Sequence, residues 1–176
     1  FRSLPHDFFL AEGGAADISG GAEFDALARA FQSWEDVPEC DARFSGLSTV
    51  NMDTSDIYND GGLAGRDRKN LFAWVESNWA EGPSLIALTF TYYIETSGKI
   101  LEDDIVMNAV DYQWTTDDVI VMTDVESIAA HEIGHAYGLG HSLADDATMY
   151  ATASQGETMK RSLSADDMAA IQHSYP

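Results

Sequence analysis

Residues 131–142 read His131-Glu132-Ile133-Gly134-His135-Ala136-Tyr137-Gly138-Leu139-Gly140-His141-Ser142, a spacing that sets three metal ligands and a base at fixed positions. On a helix of 3.6 residues per turn, His131 and His135 lie four apart on one face, about 6 Å along the axis, so both imidazoles reach one ion. Glu132 is rotated about 100° away. Its carboxylate then lies beside the ion, placed to take a proton from water held there without being a ligand itself. Gly138 can enter the left-handed conformation that ends a helix and reverses the chain, and His141 returns as the third ligand. Three neutral imidazoles with an open fourth position describe a catalytic zinc site. Structural zinc is closed by four protein ligands, usually thiolates, and this chain has one cysteine. At roughly one in twenty per position, five fixed identities arise by chance about once in three million positions.

The dozen is similar to the extended metzincin signature, and further motifs narrow the resemblance to the matrixins, the matrix metalloproteinase family. Met149 stands within Ala147-Thr148-Met149-Tyr150-Ala151, which resembles that family's Met-turn. Residues 161–175 resemble its C-terminal helix, and residues 96–108 resemble the last strand region of bacterial matrixin-like peptidases. The first half of the chain matches only in the order of its elements.

The resemblance implies a secreted zinc endopeptidase acting on protein or peptide substrates. One catalytic zinc is implied, held by His131, His135 and His141, with Glu132 as general base. Met149 is expected to form an apolar floor beneath the histidines. Tyr150 directly follows it, whereas metzincins with a tyrosine ligand place that residue two positions after the methionine, so Tyr150 is expected to line the substrate pocket. Residues 85–93 would form the sheet edge above the metal, where an extended peptide pairs with Ala87, Leu88 and Thr89. By alignment Ser127 occupies the base of the main pocket. Ala151 and Ala153, small where the family often has Pro and Tyr, suggest a deep or wide apolar cavity. Phe1-Arg2-Ser3-Leu4-Pro5 resembles the start of processed animal matrixins, whose terminal ammonium folds onto an aspartate matched here by Asp166. Asp167 would instead hydrogen-bond the Met-turn backbone.

The chain also departs from the family. Animal matrixins carry a second, structural zinc bound by further histidines, but only His6 and His173 lie outside the motif here, so one zinc is expected. Asn108 and Asp111 stand in weaker register with the family's calcium ligands, and those sites are not carried over. Calcium stays a candidate through Asp56, Asp60, Gly61 and Asp67, which match positions one, five, six and twelve of a calcium loop. Tyr58 at position three and Asp in place of Glu at position twelve weaken that match. The cysteine-switch propeptide motif is absent. Two rival readings remain: a catalytically silent zinc-binding module that holds a partner peptide, against which Glu132 speaks, and a thermolysin-type hydrolase, against which Gly138, His141 and Met149 speak.

Length and composition bound the rest. The 176 residues suit one domain, residues 1–176, with a substantial core. No apolar run approaches eighteen residues, so no membrane span is expected. A start at Phe1, with neither initiator methionine nor signal sequence, fits a processed, secreted form, and a monomer is the expected state. Thirty acidic against nine basic residues give a formal charge of −21, which argues against nucleic acid or anionic lipid as partners. That charge reads either as an ordinary solvated surface or as adaptation to high salt. Cys40 has no partner for an intrachain disulfide and is expected to be a small buried residue.

The element order predicts an α+β fold with a mostly parallel twisted sheet, an active-site helix, a Met-turn and a C-terminal helix. Strands are expected over residues 4–11, 43–51, 70–76, 85–95 and 100–108. A helix is expected over 23–35, where Phe24, Leu27, Ala28, Phe31 and Trp34 recur at helical spacing. Residues 52–69 read as a long polar loop. Thr123 and Glu126 have capping-box spacing before the active-site helix, and Ser164 and Asp167 repeat it before the last one.

Overall fold

The apolar runs pair into one five-stranded sheet in a computed structural model that describes residues 6–51 and 69–176. Its strands are β1 (His6–Ala11), β2 (Phe44–Val50), β3 (Asn70–Val75), β4 (Ala87–Ile94) and β5 (Lys99–Asn108), in the order β2-β1-β3-β5-β4. Every neighbouring pair is parallel except β4 with β5. β3 is buried at all positions, as a parallel strand covered on both faces must be. β4 forms the edge. Leu88 and Phe90 pack against Leu71, Ala73, Val75 and Val106 on one face of the sheet, while Ala87, Thr89 and Thr91 line a cleft on the other.

Helix α1 (Ala22–Glu35) buries Ala26, Leu27, Ala30, Phe31 and Trp34. Phe31 meets Phe8 at 5.1 Å and Phe44 at 4.7 Å between ring centroids. Trp34 reaches instead to helix α2 (Val125–Ala136), where its indole N–H donates to the Ala130 carbonyl at 2.8 Å. All of α2 except Glu126 and His135 is buried, so this helix runs through the core rather than over it. The last helix, α3 (Ala165–Ser174), opens with the capping box of Ser164 and Asp167.

The structure moves one cap and adds a short two-stranded sheet. The N-cap of α2 is Asp124, not Thr123: the Asp124 carboxylate accepts from the Ser127 amide at 2.8 Å. Thr123 and Asp124 together form β7 (Thr123–Asp124), which pairs in parallel with β6 (Trp114–Thr115), and the Thr123 amide donates to the Gln113 carbonyl. Arg161 grips the other side of the cap, with Nε and Nη2 at 2.9 and 2.6 Å from the Asp124 carboxylate. Glu126, released from capping, pairs with Arg29 on α1 at 2.6 Å. The acidic spacing from Asp56 to Asp67, and Phe1 to Pro5, lie outside the described residues. Cys40 is buried as a free thiol, and no described helix is long and apolar enough to cross a membrane.

Candidate metal centre

α2 carries His131 and His135 on one face, and a turn delivers the third imidazole. Gly138 has φ 85, the left-handed conformation that glycine adopts without strain. Its amide donates to His135 O at 2.7 Å and the Leu139 amide to Gly134 O at 3.1 Å, which closes the helix and sends the chain back towards His141. Ligand-capable atoms of His131, His135 and His141 then lie within 4.8 Å of one another, and Nε2 of His135 is 3.2 Å from Nε2 of His141. No other such cluster of His, Cys, Asp or Glu occurs among the described residues.

The surroundings fix which nitrogen each ring offers. His131 Nδ1 lies 2.7 Å from Thr148 O and His135 Nδ1 lies 2.8 Å from Leu139 O. A carbonyl can only accept, so each Nδ1 carries the proton and each Nε2 presents its lone pair. Burial lowers the pKa of His131 to about 3, with the Thr148 carbonyl opposing the shift, and burial also lowers that of His135. Both rings are therefore neutral at physiological pH, as metal ligands must be. Three imidazole nitrogen donors on a preformed cradle fit zinc. Glu132 beside them is 6% exposed. Burial raises its pKa to about 7, and a hydrogen bond from Thr89 Oγ1 to Oε2, at 2.7 Å, pulls the other way.

Met149 and its neighbours, packed against α2, are tied from several directions. The Met149 side chain presses on α2 at Gly134, where a Cβ would collide with Sδ and stand 2.8 Å from Trp34 Cζ2. Asp167 accepts from the Thr148 and Met149 amides at 2.7 and 3.0 Å. The Lys160 ammonium donates to the carbonyls of Thr148 and Tyr150 at 3.2 and 2.7 Å. Met149 O accepts from the Ser142 amide at 2.8 Å. Asp166 accepts from Ser142 Oγ at 2.6 Å, while the Phe1 partner expected for it lies outside the described residues.

A cleft of about 1130 Å³ runs past this centre. Ala87, Leu88, Thr89, Tyr150, Ala151 and Ala153 line it together with the three histidines and Glu132. Ser127 does not: it is buried within α2, and Asp124, Ile128 and Lys160 line the wall in that region. Asn108 and Asp111 are bonded to each other at 3.0 Å, and the Asn108 amide also donates to Leu85 O at 3.0 Å. Sequence reasoning missed Thr89 as a partner of Glu132, the Thr148 and Leu139 carbonyls behind the histidines, and buried Lys160. None had a signal: a Lys-Arg pair in a polar stretch reads as solvated, and carbonyls are shared by all residues.

Sheet order, buried α2, glycine turn and three-histidine cluster together define an α+β metzincin fold. The chain belongs to the matrixin family, whose profile matches residues 76–176. Among curated relatives, Metalloendoproteinase 5-MMP of Arabidopsis thaliana is 49% identical over 57 residues, covering 32% of this chain and 16% of the relative. Metalloendoproteinase 4-MMP of the same plant is 40% identical over 79 residues, covering 45% and 22%. Stromelysin-1 of Rattus norvegicus is 30% identical over 152 residues, covering 85% of this chain and 28% of the relative. The chain thus spans less than a third of each of these relatives.

Proposed function

We propose that this matrixin chain is a secreted zinc endopeptidase that hydrolyses peptide bonds of extended polypeptides. The observation that carries the proposal is Glu132, a buried carboxyl group held beside three clustered imidazoles and open to the cleft. A module that only held a partner through zinc would have no use for it. His131, His135 and His141 would hold the ion, which when bound supplies a Lewis acid that acidifies water and polarises the scissile carbonyl. Glu132 handles the proton, accepting it from the attacking water and returning it to the leaving amine.

Edge strand β4 supports recognition by strand addition, with the main chain of Ala87, Leu88 and Thr89 pairing with an extended peptide. Such pairing is independent of sequence, so selectivity falls to the cavity bordered by Tyr150, Ala151 and Ala153. Gly138, Met149, Asp166 and Asp167 are assigned structural roles around the ligands. Secretion is carried from the family. A peptide-library digest with and without a zinc chelator is expected to give chelator-sensitive cleavage with a defined side-chain preference. Metal analysis should find about one zinc per chain. A zinc-loaded protein that cleaves nothing in the library sinks the proposal.

A further inference from the structure

We propose that the Thr89 side chain is a positioning residue for Glu132, a role separate from the pairing of its main chain with substrate. This rests on Glu132 acting as the base. Thr89 lies opposite Ile105 in the antiparallel β4–β5 ladder, and strand alternation turns its side chain towards α2. Its Oγ1 stands 2.7 Å from Glu132 Oε2 and 3.0 Å from the Glu132 carbonyl. Both acceptors belong to one residue, so the one hydroxyl proton, shared between them, holds the carboxylate against its own backbone. Of the two, the ionised carboxylate makes the stronger bond.

The donor is itself rigid. A β-branched side chain has few χ1 choices, and β4 is anchored through its length to β5. Glu132 by contrast has three side-chain torsions to restrain. Tying Oε2 to Thr89 leaves Oε1 without a hydrogen-bond partner among the described residues, on a side chain that lines the cleft. Oε1 is then the oxygen that meets water. A peptide added along β4 would stiffen Thr89 further, so substrate docking and alignment of the base pass through one residue.

Thr89→Val keeps the branched shape and removes the hydroxyl, while Thr89→Ser keeps the hydroxyl. In zinc-loaded protein with a cleaved library peptide, Thr89→Val is expected to lower kcat by about 10–100-fold, as loss of a supporting hydrogen bond around a metal site does. KM should stay within about twofold, since the bond orients the base and does not hold substrate. Thr89→Ser should recover most of kcat. Zinc content should match wild type, and a crystal structure of Thr89→Val should show the Glu132 carboxylate turned away from its wild-type position. A loss carried by KM with kcat retained, a serine variant no better than valine, or an unmoved Glu132 carboxylate overturns the inference. If wild-type protein cleaves nothing, the peptidase proposal fails on its own, and the Glu132 position in the variant structure still decides this one.

Discussion

Glu132 is pulled two ways, since burial favours its neutral form and the Thr89 hydroxyl favours its carboxylate. A group so balanced exchanges protons near neutral pH, as a general base requires. Glu132→Ala is expected to keep zinc and fold while turnover drops by at least about 10²–10⁴-fold. Peptide hydrolysis at matched zinc content measures this, and near wild-type turnover would count against the base. Gly134 matters for a different reason, because Met149 and Trp34 occupy the space a side chain would need. Trp34 cannot retreat easily, since its indole is bonded to the Ala130 carbonyl. Overpacking costs about 1–3 kcal/mol, against a helix-propensity gain of about 1 kcal/mol over glycine. Gly134→Ala should therefore lower stability by up to about 2 kcal/mol in urea unfolding. An unchanged midpoint would mean that Met149 moves aside at no cost.

The Met-turn and α3 act as one unit through Asp167. Its carboxylate caps α3 by accepting from the Ser164 amide and hydroxyl, and it also satisfies the Thr148 and Met149 amides. Thr148 in turn orients His131 through its carbonyl. Each buried amide left unpaired costs about 1–3 kcal/mol, so Asp167→Ala should destabilise the protein by about 2–5 kcal/mol. Zinc should also be held less tightly, because the Thr148 carbonyl loses its support. Urea unfolding and zinc competition with a chelator read the two effects. A stability loss with unchanged zinc affinity would confine Asp167 to the cap. Asp124 at the start of α2 is gripped by Arg161, and the Tyr137 carbonyl at its end accepts from the Tyr175 hydroxyl at 2.8 Å, so both ends of the helix are held by the C-terminal segment.

For the whole molecule, burying the site makes the metal-free protein sensitive to pH in two opposite directions. Burial lowers the pKa of His131 from 6.5 to about 3, so the unfolded chain takes up a proton that the native state refuses, and stability falls as pH drops from 6.5 towards 3. Burial raises Glu132 from 4.5 to about 7, so the unfolded chain releases a proton that the native state keeps, and stability falls as pH rises from 4.5 through 7. Between 4.5 and 6.5 the two slopes oppose each other. Glu132→Gln removes only the second. In chelated protein its stability relative to wild type should grow by on the order of 3 kcal/mol from pH 4.5 to beyond 7. Urea unfolding at a series of pH values tests this, and a constant difference would show that the metal-free native state does not restrain Glu132.

The sequence by itself determined the three histidines, Glu132, the turn at Gly138 and the α+β order of elements, because each depends on local spacing: four residues per helical face, one left-handed glycine, alternating or continuous apolar runs. It placed the α2 cap one residue early, since Thr123 and Asp124 are both good caps and the folded chain selects Asp124 through the Ser127 amide and the Arg161 guanidinium. It set Ser127 at the pocket base by alignment, whereas the packing of α2 turns that residue inward and leaves Asp124, Ile128 and Lys160 on the wall. Tertiary structure alone decided that Thr89 meets Glu132 from 43 residues away, that Thr148 and Leu139 fix the imidazole tautomers, and that Lys160 is buried under the Met-turn. These are contacts between elements distant in the chain or made by backbone carbonyls. No periodicity encodes them, and they exist only once the sheet, α2 and the C-terminal segment have closed on one another.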